Sequence, residues 1–108
     1  MCSINLNFYK GGQYEPHWDH QAYPGADNKW DDSMGSRIAT WLTYLTEPKY
    51  GGKTCFLDLK IAAEPIKNSA VFWYNHLPSG QSDDRTRHAA CPVLVGSKWF
   101  EMCELVNI

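Results

Sequence analysis

The chain has 108 residues, of which 44% are apolar and 20% charged, and its formal net charge is −2. That length suits one domain able to bury about two-thirds of its unfolded surface. The near-neutral balance gives no field for nucleic acid or an anionic membrane surface, and no apolar run is long enough to span a bilayer.

Five Trp and six Tyr favour a strand-rich fold with bulky side chains filling its interior. The opening Met1-Cys2-Ser3-Ile4-Asn5-Leu6 lacks a signal-peptide core and reads as strand interior, as expected of a piece of a longer chain. Cys2, Cys55, Cys91 and Cys103 contain no C-x-x-C pair, which argues against a zinc ribbon; their even number permits disulfides without requiring them.

In chain order, Ile4, Leu6 and Phe8 alternate with polar residues and predict a half-buried strand, followed by a turn at Gly11-Gly12. A second strand is expected from Tyr14 to His20, bent or at a sheet edge because Pro16 cannot donate to a ladder. Residues 21–36 form a long polar loop, read either as a functional lid or as a solvated insertion. Arg37 to Leu45 is the strongest strand, a turn follows over Glu47 to Gly52, and Thr54 to Leu57 is short.

Between Asp58 and Asn68 the reading is ambiguous, with a helical turn at Ile61-Ala62-Ala63-Glu64 that Pro65 would stop. Ser69 to Tyr74 is an apolar run expected to be buried on both faces. A loop over Asn75 to Asp84, a strand from Arg85 to Ala90, a corner at Pro92 to Gly96 and a last strand from Ser97 to Leu105 complete the chain. No segment holds a helical period for three turns. About eight short strands with Gly and Pro punctuation predict an all-β barrel or sandwich.

Chemistry concentrates at His17-Trp18-Asp19. On a strand, residues two apart share a face, so His17 and Asp19 would point together and Trp18 away. A second imidazole from a distant strand, His88, would complete two His and one carboxylate on one face of a metal, the pattern of non-haem Fe(II) oxygenases. Taken alone, H-x-D equally describes ordinary polar residues near the surface. His20 and His76 could form a rival set with His17, or be loop and surface histidines. Trp73 reads as core.

Five blocks in order carry a resemblance: Gly11 to Asp19, Arg37 to Leu42, Gly51 to Phe56, Ala70 to Asn75 and Arg85 to Trp99. Together they resemble the catalytic domain of collagen prolyl 4-hydroxylase α subunits over nearly the whole chain. The resemblance implies a double-stranded β-helix (a cupin-like jelly-roll with little helix, here without its flanking elements) spanning residues 1–108 as one catalytic domain. It also implies Fe(II), the co-substrate 2-oxoglutarate, and ascorbate. By position, His17, Asp19 and His88 would be the iron ligands, and a carboxylate at Asp19 favours hydroxylation over halogenation.

Lys98 would pair with the distal carboxylate of 2-oxoglutarate and Thr54 would line that pocket, while Tyr14 and Arg37 would line the peptide groove. The implied activity is hydroxylation of peptidyl-proline in procollagen-like sequences to 4-hydroxyproline, releasing succinate and CO2. The implied setting is the endoplasmic reticulum lumen, with a protein disulfide isomerase subunit as partner. Cys91 matches a family cysteine that pairs with one farther along, for which Cys103 is the available candidate.

Two departures stand out. The family has a tyrosine where this chain has Phe8, so one hydroxyl toward 2-oxoglutarate is missing from that position. After Lys98-Trp99 the family's second K-W motif and histidine are replaced by Phe100-Glu101-Met102-Cys103-Glu104. These departures keep open a second reading, a diverged dioxygenase-fold module that acts in binding or assembly without turnover.

Overall fold

The computed structural model describes residues 2–8, 12–20 and 37–106. Among them lie ten strands: β1 (Cys2–Phe8), β2 (Tyr14–His17), β3 (Arg37–Tyr44), β4 (Tyr50–Gly51), β5 (Thr54–Phe56), β6 (Ile61–Ala63), β7 (Ala70–Tyr74), β8 (His88–Ala90), β9 (Val93–Val95) and β10 (Lys98–Val106). One four-stranded sheet has the order β1-β10-β3-β7, a second has β2-β8-β5-β6, and β4 pairs with β9. Every pairing is antiparallel. This all-β architecture agrees with the barrel or sandwich read from strand spacing, and with the jelly-roll that the resemblance implies.

Alternation on β3, β7 and β10 builds the inner face of the larger sheet. Leu42, Tyr44 and Phe100 are buried there, with Val71, Trp73 and Met102 packed against them. Each such side chain contributes about 1.5–3 kcal/mol by leaving water. The register sets Phe100 against Tyr44 and Met102 against Leu42. The altered tail therefore continues β10 without a break and supplies part of the core. Phe56 of the opposite sheet meets the Trp73 ring edge-on at 5.1 Å, which closes the two layers on one another.

Several local expectations need correction. Strand β7 is not buried on both faces: it is the edge of its sheet, and Phe72 and Tyr74 point outward, Tyr74 being 62% exposed. The helical turn at Ile61 is instead strand β6, because pairing with β5 outweighs a weak local preference. The corner at Pro92 to Gly96 contains β9, and the turn before it contains β4. Strand β2 ends at His17, so Asp19 stands in a turn and not on the strand. The polar stretch 21–36 and Gly11 of the first turn lie outside the described residues.

Cys91 is bonded to Cys55, not to a cysteine farther along. The register explains it: Thr54 faces Ala90 across β5 and β8, which brings Cys55 alongside the residue that follows β8. Cys103, in mid-β10 of the other sheet, is itself disulfide-bonded and so is not available to Cys91.

The Gly51-Gly52 pair has a steric reason. Gly51 has φ +81°, and a Cβ there would lie 2.8 Å from the backbone nitrogen of Leu94 and still closer to the Pro92 carbonyl. Gly51→Ala is therefore expected to lower stability by about 2 kcal/mol or more, combining backbone strain with a backbone clash. Gly80→Ala, at φ +91° with nothing within 4 Å, should cost only the strain, about 1 kcal/mol. Urea unfolding midpoints of the two variants check this ordering.

Candidate metal centre

His17 and His88 are oriented by the same local device. His17 Nδ1 lies 2.8 Å from the Glu15 carbonyl, and His88 Nδ1 lies 2.9 Å from the Thr86 carbonyl, each two residues back. A carbonyl only accepts, so each Nδ1 carries a proton and each Nε2 is left as the free donor atom of the neutral ring. For His88 the carbonyl is presented by a 3-10 turn at Asp84–Thr86, capped by Asp83. Strands β2 and β8 then set His17 directly opposite His88, with ring centres 4.3 Å apart.

Asp19 completes the set. Its Oδ1 is 3.3 Å from His17 Nε2 and 3.4 Å from His88 Nε2, and only 3% of the residue is exposed. One ligand atom from each of the three lies within 4.8 Å of the others. A carboxylate oxygen and two nitrogen lone pairs aimed at one buried point repel unless a cation sits among them. Burial pulls His17 down, but the Asp19 carboxylate and the Glu15 carbonyl outweigh it and raise its pKa. Burial pushes Asp19 up, yet His17, His88 and Thr40 outweigh it and hold the carboxyl below its ordinary value. Burial keeps His88 below the usual imidazole range.

A cavity between the sheets opens beside this point, with Tyr14, Thr54, Lys98 and the apolar Leu42, Phe100 and Met102 in its lining. Lys98 is 1% exposed, and among the described residues no carboxylate lies within ion-pair distance of it. Its Nζ rests 5.4 Å from the Tyr44 ring centre and 5.3 Å from that of Phe100, and desolvation pulls its pKa down to about 8. Thr54 is also buried, its hydroxyl 2.7 Å from Tyr44 Oη. Phe8 stands opposite Lys98 in the register of β1 and β10.

Tyr14 reaches the cavity because the pairing of β2 with β8 shifts register between Tyr14 and His17, where Pro16 interrupts the ladder. The irregularity cancels the parity that would turn Tyr14 away, and its ring meets His17 edge-on at 4.4 Å. Arg37 is held by Glu104, Nε to Oε2 at 2.8 Å, and its Nη1 donates to the Asp19 carbonyl at 3.3 Å. Trp18 turns away from the ligands and donates from Nε1 to the Asp84 carbonyl.

His20 and His76 do not join His17 in a three-ligand group among the described residues. Their rings lie 5.8 Å apart and half-buried, and among the described residues His20 Nε2 and both His76 nitrogens have no hydrogen-bond partner. Both lie in loops outside the named strands, as expected, although they are half-buried.

Two features escaped the sequence reading. Tyr44 brings a phenol to Thr54, and Thr40 donates to Asp19 Oδ2 at 2.7 Å. The available signal was parity: Thr40 and Tyr44 flank Leu42 on β3 and share its inward face.

Residues 4–102 match the family profile described as the 2OG-Fe(II) oxygenase superfamily. The chain belongs to that superfamily. Among curated proteins similar to this chain, prolyl 4-hydroxylase subunit alpha-1 from Gallus gallus is 50% identical over 93 residues, 86% of this chain and 18% of that protein. Subunit alpha-2 from the same organism is 52% identical over 86% of this chain, and subunit alpha-1 from Caenorhabditis elegans is 46% identical over the same share. The chain thus spans under a fifth of the length of the curated relatives it matches.

Among solved structures, the viral collagen prolyl hydroxylase vCPH from Paramecium Bursaria Chlorella virus-1, in its 2OG complex, superposes with a TM-score of 0.81 at 25% identity, covering 100% of this chain and 62% of that one. A Pseudomonas putida prolyl-4-hydroxylase shares the fold, with a TM-score of 0.66 at 19% identity, covering 99% of this chain and 52% of that one.

The superfamily implies Fe(II) and 2-oxoglutarate, and the residues present fit both. The donors are two imidazoles and a carboxylate, and among the described residues no thiolate competes and no carboxylate pairs with the buried Lys98 ammonium. A depression from 10.5 to about 8 corresponds to roughly 3 kcal/mol against the ammonium form. Lys98→Met is therefore expected to stabilise the ligand-free protein, by up to about 3 kcal/mol at pH 7. The gain shrinks between pH 8 and 10, where folding already discharges the native lysine. Denaturant unfolding of both proteins at pH 7 and pH 10 checks the sign and the window.

Proposed function

We propose that these 108 residues act as the catalytic unit of an Fe(II)- and 2-oxoglutarate-dependent dioxygenase that converts peptidyl-proline in procollagen-like sequences to 4-hydroxyproline, releasing succinate and CO2. The observation that carries this reading is the buried convergence of His17 Nε2, Asp19 Oδ1 and His88 Nε2 beside a cavity lined by an uncompensated ammonium. His17, Asp19 and His88 would hold the iron from one side. The iron supplies the activation of O2 that no side chain of this chain can perform.

Lys98 supplies the counter-charge for the distal carboxylate of 2-oxoglutarate, and Thr54, tied to Tyr44, offers a hydroxyl beside it. That hydroxyl pair favours a working co-substrate pocket despite Phe8. Leu42, Phe100 and Met102 keep the site dry, which strengthens each polar contact. Tyr14, more than a third exposed, presents an aromatic face of the kind on which proline rings dock, and Arg37 stands beside the Asp19 backbone for the peptide.

Kinship with prolyl 4-hydroxylase α subunits extends the proposal to ascorbate as reductant, the endoplasmic reticulum lumen as setting and a disulfide isomerase subunit as partner. The Cys55–Cys91 bond, with no free cysteine among the described residues, supports an oxidising compartment.

With Fe(II), 2-oxoglutarate, ascorbate and a proline-rich peptide, the protein is expected to form succinate in step with hydroxyproline. His88→Ala and Asp19→Ala should each abolish both products. Iron uptake without succinate on any proline-containing peptide would instead favour the binding or assembly module.

The affinity for 2-oxoglutarate also reports on Lys98. A bound dianion favours the ammonium, so the dissociation constant should be flat below pH 8 and rise about tenfold per unit above it. Calorimetry in buffers of different ionisation enthalpy should register the matching proton uptake. A flat profile through pH 9 would remove Lys98 from the co-substrate pocket.

A further inference from the structure

The two oxygens of Asp19 have different partners. Oδ1 faces the two Nε2 atoms, whereas Oδ2 accepts a 2.7 Å hydrogen bond from Thr40 Oγ1. Thr40 Oγ1 in turn accepts from Asn75 Nδ2 at 3.1 Å, and Asn75 Oδ1 accepts from Trp73 Nε1 at 2.9 Å. Thr40 and Asn75 are each 0% exposed, so water does not compete for any link between them.

The direction of every proton in this chain is determined. An indole N–H can only donate, so the Asn75 carbonyl oxygen must face Trp73 and its amide must face Thr40. The orientation of a side-chain amide is normally ambiguous; here the indole decides it. Thr40 spends an acceptor lone pair on that amide, leaving its one hydrogen for Asp19 Oδ2. The Asn75 backbone is anchored as well, its N–H donating to the Ile38 carbonyl and its carbonyl accepting from Asp83 N–H. Thr40 and Trp73 are register partners on β3 and β7, which places the chain across two paired strands. The same Trp73 ring packs edge-on against His88 at 4.8 Å.

We infer that Thr40, Asn75 and Trp73 form a positioning chain that holds Asp19 as a one-oxygen ligand and couples its orientation to that of His88. The inference rests on the reading of His17, Asp19 and His88 as the iron ligands. Without the Thr40 hydroxyl, Oδ2 has no partner in a dry site and its lone pairs turn toward the cation. A carboxylate that chelates through both oxygens takes a coordination position that 2-oxoglutarate or O2 needs. The chain would therefore govern how many positions remain open, although none of its three residues is among those that would hold the ion.

The test uses Co2+ alone on the ligand-free protein. Cobalt-minus-apo infrared difference spectra of the wild type should show the wide separation of carboxylate stretches that marks one-oxygen binding. Thr40→Val should bind Co2+ ten- to a hundredfold more weakly and bring those stretches together, since the removal of such outer hydrogen bonds costs that much. Thr40→Ser should restore both affinity and spectrum, as loss of packing would not. A narrow separation in the wild type overturns the inference even if Thr40→Val fails to fold. So does a folded Thr40→Val with wild-type affinity and spectrum, which leaves the iron reading intact. If the wild type binds no Co2+ in a manner lost in His88→Ala, the iron reading falls and the positioning chain falls with it.

Discussion

The structure depends on one electrostatic constraint: a carboxylate buried between two imidazole nitrogens whose opposite ring nitrogens are already committed to backbone carbonyls. His17 and His88 each spend Nδ1 on the residue two positions back, so both free lone pairs converge on Asp19 Oδ1. Such an arrangement is costly without a cation and cohesive with one. The jelly-roll supplies the rigidity that keeps the three groups together, with β2 and β8 pairing the histidines across one sheet and the neighbouring sheet backing the carboxylate.

Lys98 repeats the principle a short way along the cavity. Its ammonium is buried against two aromatic rings with no carboxylate among the described residues beside it, an arrangement that lowers stability and that the proposed reading puts to use in holding a dianion. Both the metal point and the lysine are thus charges left incomplete by the fold. The proposed Fe(II)- and 2-oxoglutarate-dependent activity would draw on both. The aromatic content is used in the same way: Trp73 and Tyr44 serve packing and polar organisation at once.

Much of this was legible from residue types and spacing. The strand over Arg37 to Tyr44 was plain from its β-branched and aromatic run, and the last strand was placed correctly despite its altered tail. The family resemblance pointed to His17, Asp19 and His88, and the fold brings those three together. Less legible was the strand that ends at His17: strict alternation put Asp19 on the strand, whereas a turn delivers it. Tyr14 was turned back toward the cavity by a register shift that period-two counting does not include. The apolar run of β7 suggested burial on both faces, yet it lies at an edge, because a run of hydrophobic residues says nothing about which strands are its neighbours.

By itself the sequence determined the all-β class, the punctuation between strands and the stock of residues able to hold a metal and an anion. These follow from local conformational preference and side-chain chemistry, which each residue carries wherever it sits. Only the tertiary structure decided that Cys91 bonds to Cys55, that Tyr44 meets Thr54, and that Thr40 and Asn75 stand behind Asp19. Those contacts join segments distant along the chain, and their existence hangs on strand register, where a shift of one residue sends a side chain to the opposite face.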